Sequence, residues 1–523
     1  MAYSLQPQRN CYRRQILLNL PPTSYFFFHT GNNMSYPLDA PCITTARIFD
    51  TEFTSDDVII AGDVKQKKFV LVGAVTANRS LTHLTLVTKG VNQHSIKVEQ
   101  PDILEGETPE EIAILEGDDW RQLLKQYADI VVKKMGARSV NPSSNLTGYC
   151  TWYYYYADVT EADFLENLEA CAAHRNTGYS PQVVQIDDGY QTFQGDWNDQ
   201  DPSWPTPLPE IGRRLKESGM TGGIWTMPFT ASTVSRVFRE HPDWFVKDEN
   251  GEPKTALGWS APPNHLWVTL DTTNPEAQEH LRKIFRTFHE WGFDYFKMDG
   301  LGFALTDGIR YDKNATPVSA FREGLKAIRE AVPNAYLLGC CPPMLPCLGY
   351  VDGARVSPDT KAAWPDIKNA MFTTLSRWWM FDKFFRADPD TLMARQDRAE
   401  HTIQEARVSV ITGILTGVCL TSDNLSTIAP ERFQLLERAA KYRVKDAMPI
   451  DWKIKQWPMA FKGTLDGQPA VALINHTDAP LEYTFEQLEL ASDRPVEELL
   501  QPLGIMKDKF TIAPHDAMLL VQK

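Results

Sequence analysis

The stretch FDYFKMDG, residues 293–300, ends an apolar, aromatic run with a cation and a carboxylate two positions apart. Side chains alternate along a strand, so Tyr295, Lys297 and Asp299 share one face while Phe296 and Met298 share the other. A strand of a closed parallel barrel needs that division. Its outward face meets helices and is apolar, and its inward face near the C-terminal rim opens to a site. Lys297 and Asp299 would then point into one pocket from the end of one strand. From this segment alone, a structural salt bridge explains the pair equally well.

The flanking chain repeats the pattern. GYCTW (148–152), QVVQID (182–187), GGIWT (222–226), AYLLGC (335–340), GARVS (353–357) and GVCLTS (417–422) are further short apolar runs. Helical patterns such as 160–174, 275–292 and 317–332 lie between several of them, and HLWVTLD (265–271) is either an extra element or another strand. Alternating units over about 300 residues predict an α/β fold with a (β/α)8 TIM barrel. An open doubly wound sheet is the alternative, but no GxGxxG follows a strand.

Residues 1–117 carry β-rich runs such as KKFVLVGAV, HLTLVTKG and HSIKVEQ between polar loops, which predicts an N-terminal β-sandwich. A barrel over 118–446 follows. It is led by an amphipathic linker helix with Asp118 or Asp119 as cap and Gly136 as stop. Residues 447–523 return to β patterning and predict a small C-terminal antiparallel domain.

At 523 residues the chain is long for one hydrophobic core. Its 43% apolar and 23% charged content is that of a globular protein. A net charge of −14 argues against nucleic acid and anionic membrane surfaces as partners, and is compatible with a neutral small molecule. The eight cysteines show no CxxC spacing, and Cys340 and Cys341 are adjacent. Free thiols in a reducing compartment, together with a first segment unlike a secretory signal, lead us to expect a cytoplasmic location. Monomer and homo-oligomer stay open.

Polar residues gather at the strand ends. Asp187 and Asp188 close one apolar run, and such a pair needs surrounding donors, for which sugar hydroxyls or a metal would serve; a helix cap would explain one of them. Arg355 and Asp359 follow another run, with Pro358 fixing the turn. Trp225 and Trp152 stand at two more ends, where aromatic rings can stack on a sugar face. Asp299 and Asp359 come from different strands, as the two carboxyl groups of a glycosidase do. A Lys297 beside Asp299 would hold it anionic, which suits a nucleophile. Neither zinc spacing (no HExxH, no clustered His and Cys) nor a phosphate-binding loop is present, so no metal and no cofactor is expected. A Schiff-base role for Lys297 ranks lower, since Asp299 would keep the amine charged.

GYCTWYYYY, QIDDGY, GIWTMPF, HPDWFVKDENGEPK, YFKMDG, LLGCCPPMLPCLGYVDGARVSPDT and TSDNL resemble, in this order, glycoside hydrolase family 36. The likeness is greatest to its short bacterial α-galactosidases, which share a clan with the lysosomal enzymes, and it covers roughly residues 145–430. The resemblance implies a retaining exo-α-galactosidase acting on terminal α-linked galactose of melibiose or raffinose type. It implies Asp299 as nucleophile, Asp359 as acid/base, and Asp187 and Asp188 at the 4- and 6-hydroxyls. Lys297 would meet the ring hydroxyls and Arg355 the 2-hydroxyl. Trp225 and Trp152 would wall the subsite, and Cys340 would lie near C2. Two departures concern the C2 region: Cys341 where the family has glycine, and Gly300 where it often has a bulky residue. An N-terminal tryptophan of short members has no match in HTGNNMSYPLD (29–39). An α-N-acetylgalactosaminidase, another α-glycosidase or a transglycosylase on this fold is the alternative, and a non-catalytic sugar-binding protein is a further one. Retention requires the two carboxyl groups to lie about 5–5.5 Å apart.

Overall fold

Eight short parallel strands form the barrel: β1 (Leu146–Cys150), β2 (Val183–Ile186), β3 (Thr221–Thr226), β4 (Phe293–Met298), β5 (Tyr336–Gly339), β6 (Gly353–Arg355), β7 (Arg386–Asp388) and β8 (Val418–Thr421). The computed structural model describes residues 11–18, 25–29, 42–44, 51–89, 93–138, 144–256, 266–340, 342–452, 457–501, 505–506 and 509–523. The hydrogen-bonded order runs β7–β6–β5–β4–β3–β2–β1–β8. Just past β7, the Leu392 amide donates to the Leu420 carbonyl at 2.7 Å and draws the ring together. HLWVTLD is not part of it. Trp267–Thr269 pairs antiparallel with Thr230–Ser232 outside the barrel, and the eighth strand is the three-residue β7.

The alternation expected for β4 holds. Phe296 faces outward against Phe285 and Phe288 of the helix Pro275–Glu290, with ring centroids 5.1 and 6.5 Å apart. Each such aromatic contact contributes about 0.5–1.5 kcal/mol beyond the area it buries. Tyr295 faces inward and stacks on Tyr336 at 5.0 Å, among Val183, Leu338, Val418 and Leu420. This apolar layer fills the barrel interior below the site. Polar side chains at β-strand ends are lifted above it.

Two antiparallel sheets, of five and four strands, precede the barrel. Phe27, Ile59, Ala61 and Val72 of one meet Leu84, Leu86, Ile96 and Val98 of the other, making the core of a sandwich. The opposite face of the five-stranded sheet packs on the linker helix Trp120–Met135. The Asp119 carboxylate accepts from the Arg121 amide at 2.8 Å to cap that helix, and Gly136 ends it at φ 71°. A six-stranded antiparallel sheet follows the barrel, with a two-stranded ribbon beside it. Among the described residues, no helix is long and apolar enough to cross a membrane.

Candidate active site

The C-terminal ends of β2, β3, β4 and β6 bring the carboxylates together. Register sets Trp225 of β3 beside Lys297 of β4, and Arg355 of β6 beside Asp388 of β7. Asp187 is fully buried, and its Oδ2 accepts from Gln185 Nε2 (2.5 Å), Lys297 Nζ (2.9 Å) and Cys150 Sγ (3.2 Å). The Asp187 amide donates to Thr151 Oγ1 at 2.9 Å. Neither Asp187 nor Asp188 caps a helix, because the chain enters turns from Asp188 onward.

The direct partner of Lys297 differs from the expected one. Its ammonium forms an ion pair with Asp187, and Asp299 is only a neighbouring charge. Burial works to lower the ammonium's pKa. Asp187 foremost, with a smaller contribution from Asp299, more than offsets that and holds it well above its usual value. Lys297 is thus a permanent buried cation, as a strand position between two carboxylates dictates.

Asp299 is held by other donors. Trp225 Nε1 donates to its Oδ2 at 3.1 Å, and the Gly300 amide donates to Oδ1 at 2.7 Å. Gly300 has φ 60°, and a Cβ there would meet Phe303 at 2.9 Å and Met227 at 3.0 Å. The glycine turns the chain sharply out of β4 and aims its N–H at the carboxylate, which accounts for the missing bulky residue. Trp197 packs edge-on against Trp225 at 5.6 Å and steadies it. Trp152 opens the helical turn after β1, edge-on to Tyr156.

On β6, Arg355 is buried and its Nη2 donates to Asp359 Oδ1 at 2.9 Å, while Nη1 lies 3.6 Å from Cys340 Sγ. Burial tends to raise the Asp359 carboxyl, but Arg355 and then Lys297 outweigh it and leave it below the ordinary carboxylate range. Asp188 accepts from Gln191 Nε2 at 2.5 Å, and burial pushes its pKa up to about 6 against that bond, with Asp187 and Asp299 adding to the rise. Cys341 and most of 29–39 lie outside the described residues.

Exposure sorts the acids. Asp187, Asp388 and Asp390 are buried, whereas Asp188, Asp299 and Asp359 keep partial access to solvent. Each of these three is anchored on one side and open on the other, the arrangement of groups meant for a ligand. A separate cavity of about 720 Å³ runs along Trp197, Arg236, His241, Trp244, Glu276 and His280. None of these carboxylates lines it.

Residues 121–313 match the melibiase family model. An α-galactosidase of Escherichia coli is 28% identical over 173 residues, which is 32% of this chain and 22% of that protein. An A type blood α-D-galactosamine galactosaminidase of Flavonifractor plautii is 27% identical over 121 residues, 22% of this chain and 11% of that protein. The chain therefore aligns with well under half the length of either curated relative. In fold, it is similar to the α-galactosidase TtGalA of Thermus thermophilus in complex with p-nitrophenyl α-D-galactopyranoside. The TM-score is 0.68 at 22% identity, over 90% of this chain and 95% of that one. The α-galactosidase AgaA of Geobacillus stearothermophilus, solved with raffinose, gives 0.67 at 12% identity over 97% and 76%. At these identities the structural likeness shows the fold alone, a barrel with flanking sheets.

The sequence reading missed Cys150, Gln185, Tyr153 and Asp390. Gln185 was accessible to it, since alternation puts it on the face of Asp187. Asp390 carried a signal too: RADPD (386–390) has the strand-end carboxylates seen elsewhere, but no apolar run to mark its strand.

Proposed function

We propose that the protein is a retaining exo-α-galactosidase that releases terminal α-linked galactose from melibiose- or raffinose-type sugars. One observation carries the reading: Asp299 and Asp359, on different strand ends, are both part-exposed, both anchored from behind and both within the field of Lys297. Asp299 attacks the anomeric carbon as the glycosidic C–O bond breaks, and the Asp359 proton passes to the departing oxygen. Water then gives a proton to Asp359 as its oxygen displaces the Asp299 ester, restoring both carboxyl groups. Asp188, open beside Asp299, suits hydroxyl recognition, and Asp187 holds Lys297 in place. Trp225 suits both a wall of the subsite and the orientation of Asp299.

Asp299→Asn should cut turnover of p-nitrophenyl α-galactoside on the order of a thousandfold or more. Activity within tenfold of the wild type would place the nucleophile elsewhere. The galactosaminidase relative favours one second reading, an α-N-acetylgalactosaminidase. The ratio of kcat/KM on the two aryl glycosides decides between them.

A further inference from the structure

Asp390 lies two residues beyond β7, buried and at φ 78°, a left-handed conformation that a non-glycine residue resists. Four donors converge on its carboxylate. The Thr391 amide reaches Oδ1 at 2.8 Å, and the Thr360 amide reaches Oδ2 at 2.8 Å. Arg355 Nη2 lies 3.1 Å from Oδ2, and the Tyr153 hydroxyl donates to the same oxygen. These bonds favour the anion, while burial works against it and pushes the carboxyl up to about 6.

The same Arg355 Nη2 is 2.9 Å from Asp359 Oδ1, so one guanidinium nitrogen serves two carboxylates. Tyr153 faces Asp359 as well. Among the described residues, the other charged or titratable groups facing this cluster are Lys297, Asp388 and Cys340. Burial raises the Asp390 carboxyl, Arg355 opposes this, and the like charge of Asp359 adds to the rise. Without Asp390, Asp359 would face Arg355 and Lys297 alone. A carboxyl group between two cations favours ionisation, whereas a general acid must hold a proton.

We propose that Asp390 is a positioning residue for proton donation: by sharing Arg355 and anchoring Tyr153, it limits how far the two cations hold Asp359 in its ionised form, and so eases the proton transfer that the departing oxygen requires. The proposal rests on the glycosidase reading above. In the step concerned, the proton moves from Asp359 to the glycosidic oxygen, which leaves with the electron pair of the broken C–O bond while Asp299 forms the ester. A sugar leaving group needs that proton far more than p-nitrophenolate does.

The test compares melibiose with p-nitrophenyl α-galactoside in wild type and Asp390→Asn, after a melting curve of each protein. The variant should lose about 100-fold or more in kcat/KM on melibiose and less than about tenfold on the aryl substrate. The basic limb of the melibiose pH profile should move down by roughly one unit, because Asp359 then has Arg355 to itself. Equal losses on both substrates with an unmoved limb would leave Asp390 a scaffold residue and overturn the proposal. Should Asp390→Asn not fold, Tyr153→Phe carries the test. It removes a donor but leaves the Asp390 charge in place, so the limb should hold or rise, and a fall would overturn the idea. Wild-type protein inert on both substrates would remove the glycosidase reading and this proposal with it. Active wild type with an Asp390→Asn variant unchanged on both would sink this proposal alone.

Discussion

Asp188 is held where its charge is unfavourable. Burial, Asp187 and Asp299 raise its folded pKa to about 6, against an ordinary value of 3.8. The native state therefore binds this proton more tightly than the unfolded chain does. Stability is least penalised below about pH 4 and falls as pH rises toward 6. Asp188→Asn should consequently stabilise the protein at pH 7 by up to about 3 kcal/mol, with the gain shrinking to zero near pH 4. Urea denaturation at both pH values checks this, and a gain independent of pH would refute the electrostatic cause. Asp188 could be picked out from sequence because it follows an apolar run; Asp390 carries only the weaker signal of clustered carboxylates, because Arg386 and Asp388 stand in its strand where the other strands have apolar residues. Register is likewise invisible in a single strand, so the partnership of Lys297 with Asp187, 110 positions away, emerges only when β2 and β4 are set two strands apart.

At the scale of elements, the linker helix lies against the N-terminal five-stranded sheet through a close approach at Gly73. A Cβ there would stand 2.6 Å from the Tyr127 ring, whose hydroxyl donates to the Ala74 carbonyl at 2.6 Å. The ring is pinned at both ends and cannot give way. Gly73→Ala should therefore lower stability by about 1–3 kcal/mol while leaving activity per folded molecule unchanged. Equilibrium unfolding alongside an active-site titration tests both halves. The helix itself was legible from its caps, Asp119 and Gly136, since capping chemistry is local. HLWVTLD has stronger apolar patterning than β7 yet stands outside the barrel. Strands of three residues are too short for periodicity to assign.

Over the whole molecule, the alternation of strands and helices made the (β/α)8 architecture readable, because each βα unit leaves its own apolar signature. The division proposed at residues 117 and 446 is bridged by packing. Trp120 of the linker helix meets Trp378 at 6.4 Å and Trp452 at 5.7 Å, and Arg407 of the barrel binds Asp516 of the last strand through two bonds of 2.7 and 2.8 Å. Such bridges join side chains far apart in sequence, and no local pattern announces them. The proposed function requires Asp299 and Asp359 to face one pyranose. The most direct measurement is to trap the glycosyl-enzyme with a 2-deoxy-2-fluoro-α-galactosyl substrate and locate the ester by peptide mass spectrometry. The account predicts one added sugar, carried on Asp299. A label on any other residue, or full turnover with no ester formed, would contradict it.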